Sequence, residues 1–322
     1  ANPPYMGNKG INPRLGVFLK DNYEEVKMDL FSAFVVRCST LGVSNANIGI
    51  MSPNVWMYIS SYEKLRHYIL KQKTLTTLVE LPLTGFRGAT VQICSYTFIN
   101  HHYPDLKGGF IRLVDFKGAD EEMALYTKEA IKNKDCGYFH KSSSIDFEKI
   151  PGMPFAYWIS DAFRAIFEKS AVLSEFGDIG KGLDTGNNER FLRQWFEVSN
   201  KKNKWFPCQK GGSFRKWYGN NDFLINWENN GKELRTFAGS NLRNAHNYFK
   251  SGLSWTRVSS NVTAFRHFPE GHIFESTGPC IFPNKINLFS LSSFLNSIVT
   301  LKLLKVLAPT VDFQSGHISA LP

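Results

Sequence analysis

The first hundred residues alternate between stretches with helical spacing of apolar residues and short apolar runs, which restricts the fold more than any other feature. A helix is predicted over 24–42, because its apolar residues recur every three or four positions and Gly42 is a suitable stop. The other predicted elements are strands over 47–53, 74–82 and 90–99 and a helix over 62–71. This alternation is typical of an α/β sheet, here with only three or four visible strands. The stretch 8–22, punctuated by Gly, Asn and Pro, predicts a mobile loop.

A change in composition divides the 322-residue chain at Ile150-Pro151-Gly152-Met153-Pro154. We therefore predict one domain over 1–150 and a second over 151–322. Between Arg190 and Lys250 there are twelve Lys or Arg and four Asp or Glu, a surplus of eight in a chain with a formal charge of +10. The same stretch holds 13 aromatic residues, four of them Trp. Positive charge is thus concentrated in the second half.

Basic residues interleaved with aromatic ones suit contacts with phosphates together with packing on bases or sugars, which predicts nucleic-acid binding. The alternative is a small β-rich domain whose tryptophans are core residues and whose cations are solvated. The candidate DNA contacts are Arg190, Arg193, Lys210, Arg215, Lys216 and Trp217.

The five cysteines are scattered and unpaired in spacing, which suits a reducing compartment and predicts a cytoplasmic protein. Neither they nor the histidines show metal-ligand spacing, so no metal site is predicted. The apolar stretch 288–307 contains Lys302 and Lys305 and predicts a buried helical hairpin, with no membrane association.

The stretch Asn2-Pro3-Pro4-Tyr5 is a rigid turn or strand end, because neither proline nitrogen carries a hydrogen. The exocyclic amine of adenine is a poor nucleophile, since its lone pair is delocalised into the ring. Asn2 offers a side-chain oxygen and Pro3 a backbone carbonyl that can hold the two amine hydrogens. Tyr5 offers a ring on which a base turned out of the duplex can stack. These four residues are the candidate catalytic residues.

Two other interpretations of short motifs remain open at this point. Asn-x-x-Tyr with a proline second is also the pattern of a sorting or phosphotyrosine-adaptor ligand in a flexible tail. The spacing of Asp105, Asp115 and Lys117 is that of a magnesium-dependent nuclease core, although such short matches are frequent by accident.

Longer phrases give a more specific indication. They are DLFSAFVVR, GIMSPNVWM, LVELPLTGF, GLDTGNNERFLRQW, KGGSFRKWYGN, INWENNGKE and APTVDFQSGHISALP. Together with the NPPY stretch they resemble the PglX-type adenine-specific methyltransferases of BREX phage-defence systems over nearly the whole chain.

This resemblance implies the C-terminal half of a Rossmann-like methyltransferase domain, followed by a mixed α+β target-recognition domain. It implies methylation of adenine N6 in double-stranded DNA with S-adenosylmethionine, in a phage-defence or restriction–modification system with further defence proteins as partners. Asn2 and Pro3 would hold the amine, Pro4 would shape the turn, Tyr5 would stack, and the 8–22 loop would close over DNA.

One departure from the family pattern is large. The glycine-rich cofactor loop and the acidic ribose ligand, which the family carries before its NPPY stretch, match nothing in this sequence. We therefore expect an internal fragment that is inactive alone. The competing interpretation is a non-catalytic DNA-binding module, with the magnesium nuclease third. The DNA sequence recognised and the oligomeric state do not follow from the sequence.

Overall fold

The computed structural model describes residues 1–85, 90–199, 203–259, 262–309 and 311–322. The chain forms two compact units, Ala1–Lys169 and Ser170–Pro322. The break follows the predicted boundary by 19 residues, because Phe155 and Tyr157 are buried in the core of the first unit. The backbone N–H of Phe155 also donates to the carbonyl of Met57 at 3.0 Å. The functional division between 1–150 and 151–322 stays a prediction.

The first unit is built around a five-stranded mixed sheet. Its helices are α1 (Pro13–Tyr23), α2 (Leu30–Leu41), α3 (Glu63–Gln72), α4 (Asp120–Lys132), α5 (Ser144–Glu148) and α6 (Asp161–Lys169). Its strands are β1 (Asn47–Pro53), β2 (Thr74–Glu80), β3 (Ile93–Ile99), β4 (Gly108–Arg112) and β5 (Phe139–Ser142). The strand order is β1-β3-β2-β4-β5. β3 runs antiparallel to both β1 and β2, β4 is parallel to β2, and β5 is antiparallel to β4. The strands β1, β2 and β4 therefore all end at the same edge of the sheet.

Both faces of this sheet are covered by helices. Leu78 and Phe110, opposite each other on β2 and β4, join a core with α1, α2, α3 and α5 residues such as Phe31 and Ile69. Their neighbours Val79 and Ile111 point the other way and pack with Met123 and Ala130 of α4 and their surroundings. Because successive strand residues alternate between faces, this burial pattern gives helix, sheet and helix layers.

The structure confirms α2, β1, α3, β2 and β3 close to the predicted positions and adds β4 and β5, which were not predicted. The prediction of a mobile loop over 8–22 is wrong, because residues 13–23 form α1. Asn12 caps this helix by accepting a hydrogen bond from the N–H of Leu15 at 2.9 Å, and Pro13 occupies its first position. Asn and Pro thus start a helix here, as they do at many helix N-termini.

The second unit contains two four-stranded sheets. Its strands are β6 (Gly177–Gly180), β7 (Leu192–Gln194), β8 (Trp205–Gln209), β9 (Phe223–Asn226), β10 (Gly252–Trp255), β11 (Phe265–Phe268), β12 (Ile273–Phe274) and β13 (Cys280–Pro283). Its helices are α7 (Asn188–Phe191), α8 (Glu228–Thr236), α9 (Leu288–Leu295), α10 (Ile298–Leu307) and α11 (Ser315–Ser319). The sheets have the orders β11-β10-β13-β6 and β12-β8-β9-β7 and share a core that includes Phe191, Trp227 and Phe274. The unit is therefore mixed α+β, as predicted.

Two features of this unit qualify the sequence-based interpretation. The axis of α10 is turned by 68° from that of α9, so the predicted helical hairpin is wrong. No single helix among the described residues is long and apolar enough to cross a membrane, and α9 with α10 meets that test only as a bent pair.

Gly182 of the GLDTGNN phrase lies against the Phe274 carbonyl, where a β-carbon would clash with backbone. This part of the phrase therefore has a packing role.

Candidate active site and nucleic-acid interface

The NPPY stretch leaves the sheet at the edge where β1, β2 and β4 end. The Ala1 N–H group donates to the carbonyl of Gly49 at 2.5 Å, and the N–H of Met51 donates to the carbonyl of Ala1 at 2.9 Å. This is parallel pairing beside the outer edge of β1. Asn2–Tyr5 therefore continue in the direction of β1, towards its last residue, Pro53. Ligands of open α/β sheets bind outside this carboxyl edge.

Within this stretch, the side chains of Asn2 and Tyr5 contact each other. The Tyr5 hydroxyl donates to Asn2 Oδ1 at 2.9 Å, and the Tyr5 ring meets Phe31 edge-on with centroids 6.4 Å apart. Partial burial, and secondarily Cys94, raise the pKa of Tyr5, so its hydroxyl is protonated at neutral pH. Pro3 is buried, and its carbonyl accepts no hydrogen bond from the described residues. Among the described residues, the stretch thus presents the unused carbonyl of Pro3 and an Asn2 amide oxygen engaged by a neutral hydroxyl.

The residues after Tyr5 are attached to the start of α2. The N–H of Met6 donates to Asp29 Oδ1 at 2.9 Å, and the N–H of Leu30 donates to the carbonyl of Met6 at 3.0 Å. Asp29 is also the N-cap of α2 and accepts from Phe31 N–H at 3.2 Å. Asn2–Tyr5 are thus held at both ends, by β1 and by α2. A flexible adaptor-ligand tail is inconsistent with this attachment.

A buried glutamate that sequence reasoning missed lies at the same edge. Glu80, the last residue of β2, is 2% exposed. It accepts hydrogen bonds from Asn54 Nδ2 at 2.9 Å, Tyr58 Oη at 2.8 Å and Tyr157 Oη at 2.6 Å. Burial, followed by the charge of Glu80, raises the pKa of both tyrosines, which therefore remain donors. The signal in the sequence that could have identified Glu80 was a single acidic residue within the apolar run 74–82.

The acidic residues proposed for a nuclease core are separated by a strand. Asp105 precedes β4 and Asp115 follows it, so the two carboxylates lie at opposite ends of a five-residue strand. Asp115 is instead paired with Arg112 at 2.5 Å. A strand of this length spans about 16 Å, which is too far for two ligands of one ion. Among the described residues, no three His, Cys, Asp or Glu side chains are placed to hold a metal ion.

Two connections at the carboxyl edge of the sheet lack the glycines of a nucleotide-cofactor loop. The β1–α3 connection, residues 54–62, has no glycine, and the β4–α4 connection, residues 113–119, has only Gly118. Phosphate- and nucleotide-binding loops of α/β proteins usually need several glycines so that backbone N–H groups can approach the ligand. Neither of these two connections therefore fits S-adenosylmethionine by itself.

Four of the six candidate DNA contacts are engaged within the second unit. Arg190 pairs with Glu233 at 2.6 Å, and Lys210 lies 3.6 Å from the buried carboxylate of Glu275. The other two donate to backbone carbonyls: Arg193 Nη1 to Glu189 and Leu192 at 2.5 and 2.7 Å, and Lys216 Nζ to Asn296 at 3.0 Å.

Arg215 and Trp217, the remaining candidates, are exposed, and Arg215 has no ionic partner among the described residues. Residues 200–202 of the basic stretch, including Lys201 and Lys202, lie outside the described ranges. Trp195 and Phe196 form another exposed aromatic pair of this unit, with centroids 5.7 Å apart, and were not among the predicted DNA contacts.

Comparison with known proteins places this geometry in context. Residues 1–86 match the Eco57I restriction-modification methylase family. The whole chain is 36% identical to the adenine-specific methyltransferase BrxX of Escherichia coli O9:H4 (strain HS), covering 27% of that protein. It is 31% identical to the adenine-specific methyltransferase PglX of Lacticaseibacillus casei (strain Zhang), covering 29% of it.

A solved structure supports the fold. The Type IIL restriction-modification enzyme MmeI, determined in complex with DNA, superposes on 92% of this chain with a TM-score of 0.58 and 12% identity, over 42% of its own length. At that identity the likeness concerns the fold alone. The chain spans just over a quarter of the two methyltransferases, 27% and 29%. The resemblance inferred from the sequence phrases is confirmed: over its entire length, the chain is related to part of the adenine-specific methyltransferases BrxX and PglX.

Proposed function

We propose that this chain supplies the base-capturing edge and a DNA-contacting unit of an S-adenosylmethionine-dependent methyltransferase that modifies adenine N6 in double-stranded DNA. The system would be of the phage-defence or restriction–modification type. The observation that carries the proposal is the placement of Asn2–Tyr5 at the carboxyl edge of the sheet, held by β1 and α2.

In the proposed mechanism, two acceptors hold the two hydrogens of the target amine. The Pro3 carbonyl has no other donor among the described residues, and Asn2 Oδ1 holds only the Tyr5 hydroxyl. Accepting both hydrogens directs the nitrogen lone pair away from the ring and makes it nucleophilic. An adenine inside the duplex must first be turned out of the stack. Stacking on the Tyr5 ring then contributes about 1–3 kcal/mol.

The bond between Tyr5 and Asn2 has a role in this scheme. Before DNA binds, the Tyr5 hydroxyl occupies the acceptor that the amine needs. When the base enters, an N–H donor replaces an O–H donor, so Asn2 Oδ1 is never left without a hydrogen bond. Such an exchange costs less free energy than leaving the acceptor buried without a hydrogen bond, a penalty of about 1–3 kcal/mol.

The cofactor and the partners are proposed at the level of the family. S-adenosylmethionine supplies an electrophilic methyl group when it is bound, and residues beyond those described here would have to hold it. The second unit would contact duplex DNA, with other defence proteins as further partners. A chain that modifies cellular DNA would work in the cytoplasm.

The test is a map of N6-methyladenine in cells that express the full-length protein, with variants of the NPPY stretch. Asn2→Ala is expected to abolish methylation and retain DNA affinity, because it removes only an acceptor for the amine. Tyr5→Phe keeps the ring and is expected to retain methylation. Asn8→Ala is the matched control, since Asn8 is exposed and, among the described residues, its side-chain amide donates only to Met28 Sδ, at 3.6 Å.

Methylation by Asn2→Ala at the wild-type level would contradict the proposed mechanism. If no form of the protein, wild type included, methylates DNA while binding persists, the non-catalytic DNA-binding module is the correct interpretation. Equal circular dichroism spectra for all variants serve as the folding control.

A further inference from the structure

An exposed loop in the second unit concentrates aromatic side chains on the surface. We call residues 213–219, with the sequence Ser-Phe-Arg-Lys-Trp-Tyr-Gly, the aromatic loop. Phe214, Trp217 and Tyr218 are 54%, 52% and 64% exposed. Residues 211–221 include no Asp or Glu, whereas Arg215 and Lys216 lie within the loop. Several exposed aromatic side chains in one short loop indicate an interaction site, and the neighbouring positive charges favour an anionic partner.

The aromatic loop is fixed by hydrogen bonds to the body of the unit. The N–H of Trp217 donates to the carbonyl of Phe265 at 3.0 Å, and the N–H of His267 donates to the carbonyl of Trp217 at 2.8 Å. Asn220 Nδ2 closes the loop by donating to the carbonyl of Ser213 at 2.8 Å. Trp217 therefore adds a backbone bridge alongside β11. Its ring is presented to solvent from an anchored position and loses little backbone freedom when it binds.

The backbone of Trp217 is also strained. Its φ is +73°, a left-handed conformation that a bulky residue rarely adopts and that costs about 1–3 kcal/mol. Strain of this kind persists where the surrounding structure enforces it, and it is concentrated at ligand-binding positions.

Next to the loop lies a buried cation that has no bonded carboxylate in the described part of the chain. Arg266, opposite Trp217 in the bridge, is 1% exposed. Within the described part of the chain it donates only to the Ala264 carbonyl at 3.5 Å and to Thr256 Oγ1 at 3.2 Å, and its Nε has no acceptor. Burial lowers its pKa to about 10, so it is still charged at neutral pH. A buried, unpaired charge is costly, and an anion brought against the loop from outside would offset that cost.

Exposed aromatics, together with an exposed and a buried arginine that have no carboxylate partner among the described residues, fit a polyanion that carries flat bases. We propose that the aromatic loop enters duplex DNA, with the Trp217 ring inserted between adjacent base pairs and Arg215 on a neighbouring phosphate. Apolar side chains that insert in this way unstack a base step and kink the duplex. The inference rests on the proposed function in taking duplex DNA as the substrate, and adds where and how the second unit deforms it.

The experiment uses the full-length protein and duplexes selected from random sequence by binding to it, so that no knowledge of methylation is needed. 2-Aminopurine, whose fluorescence rises when it is unstacked, is placed at successive steps. The wild type is expected to raise the fluorescence at one step besides any turned-out adenine. Trp217→Ala should abolish that rise and weaken binding about 5- to 150-fold, with an unchanged salt dependence. Trp217→Tyr keeps a ring and should keep the rise.

Two matched variants sharpen the test. Arg215→Gln should reduce the slope of log affinity against log salt by about 0.9 and keep the fluorescence rise. Trp195→Ala removes a tryptophan of similar exposure, 54%, outside the loop and should leave both signals near the wild-type values.

Loss of affinity in Trp195→Ala equal to that in Trp217→Ala, or a fluorescence rise that survives in Trp217→Ala, would overturn the inference. Binding with no unstacking at any step would overturn it while leaving the methyltransferase proposal standing. Binding and unstacking without methylation would overturn only the methyltransferase proposal.

Discussion

Removing one hydroxyl beside Glu80 tests whether the buried hydrogen-bond cluster stabilises the carboxyl edge of the sheet. In Tyr157→Phe, the ring keeps its stacking on Phe110, where the centroids are 5.1 Å apart, and only the 2.6 Å bond to Glu80 Oε2 is lost. A buried hydrogen bond to a charged group contributes about 1.5–3 kcal/mol. We therefore expect the first unit to lose about 2 kcal/mol of unfolding free energy and its melting temperature to fall by about 4–8 °C.

The matched control is Tyr103→Phe, which removes an exposed hydroxyl that donates to Asn45 Oδ1 at 2.9 Å. It should change stability by less than about 0.5 kcal/mol. Both variants are compared by thermal unfolding followed by circular dichroism. The Tyr157→Phe deficit should be constant between pH 6 and 9, because burial and the charge of Glu80 keep the Tyr157 hydroxyl protonated there.

The Glu80→Gln background provides the second comparison, since removing the charge should reduce the effect of Tyr157→Phe. Equal melting temperatures for Tyr157→Phe and Tyr103→Phe would refute the argument. So would a Tyr157→Phe deficit that is the same with Glu80 and with Gln at that position.

Two further predictions concern a helix cap and an ion pair. Asn12→Ala removes the cap of α1 and should cost about 1 kcal/mol, measured as faster amide exchange over Leu15–Leu19; unchanged exchange would contradict the capping role. Asp312 accepts from Arg257 at 2.8 and 3.0 Å. Burial is the largest single influence and raises the pKa of Asp312, but the hydrogen bonds from Arg257 and Gln314 and the charge of Arg257 together outweigh it and lower that pKa. A lowered folded-state pKa gives stability that is present above about pH 4 and lost as the pH falls through the folded value. Asp312→Asn should therefore lower the free energy of unfolding by up to about 1 kcal/mol at pH 7 and by progressively less below pH 4, as measured by urea unfolding. An equal loss at pH 7 and pH 3 would contradict this.

Local patterns were sufficient to predict much of the first unit. The run 47–53 has a continuous apolar character ended by a proline, and it forms β1 over those residues. By contrast, β4 and β5 have only five and four residues, and Gly108, Gly109 and Lys141 break their apolar pattern. Pairing with β2 makes β4 a strand, and such long-range pairing has no local signal. At Asn12-Pro13 the signal was present but has two meanings, since these residue types favour both loops and helix starts.

The candidate site residues also fall into those that the local sequence could identify and those that it could not. The residues of the NPPY stretch could be identified because their chemistry depends on four consecutive positions. The sequence could not show which cations are free to contact DNA. Their ionic partners are distant in the sequence, as Glu233 is from Arg190, 43 residues away. Arg266 gave no signal either, since an arginine in the sequence does not reveal whether folding will bury it.

The strand order of the first sheet has a consequence for synthesis on the ribosome. β1 pairs with β3 rather than with β2, so Asn47 lies opposite Ile99, 52 positions later. At about 5–20 residues per second, β1 waits roughly 3–10 s for β3, and the edge that β3 will cover is unpaired in that interval. A translational pause between the codons for Pro53 and Ile99 would therefore prolong the period in which the nascent chain can mispair.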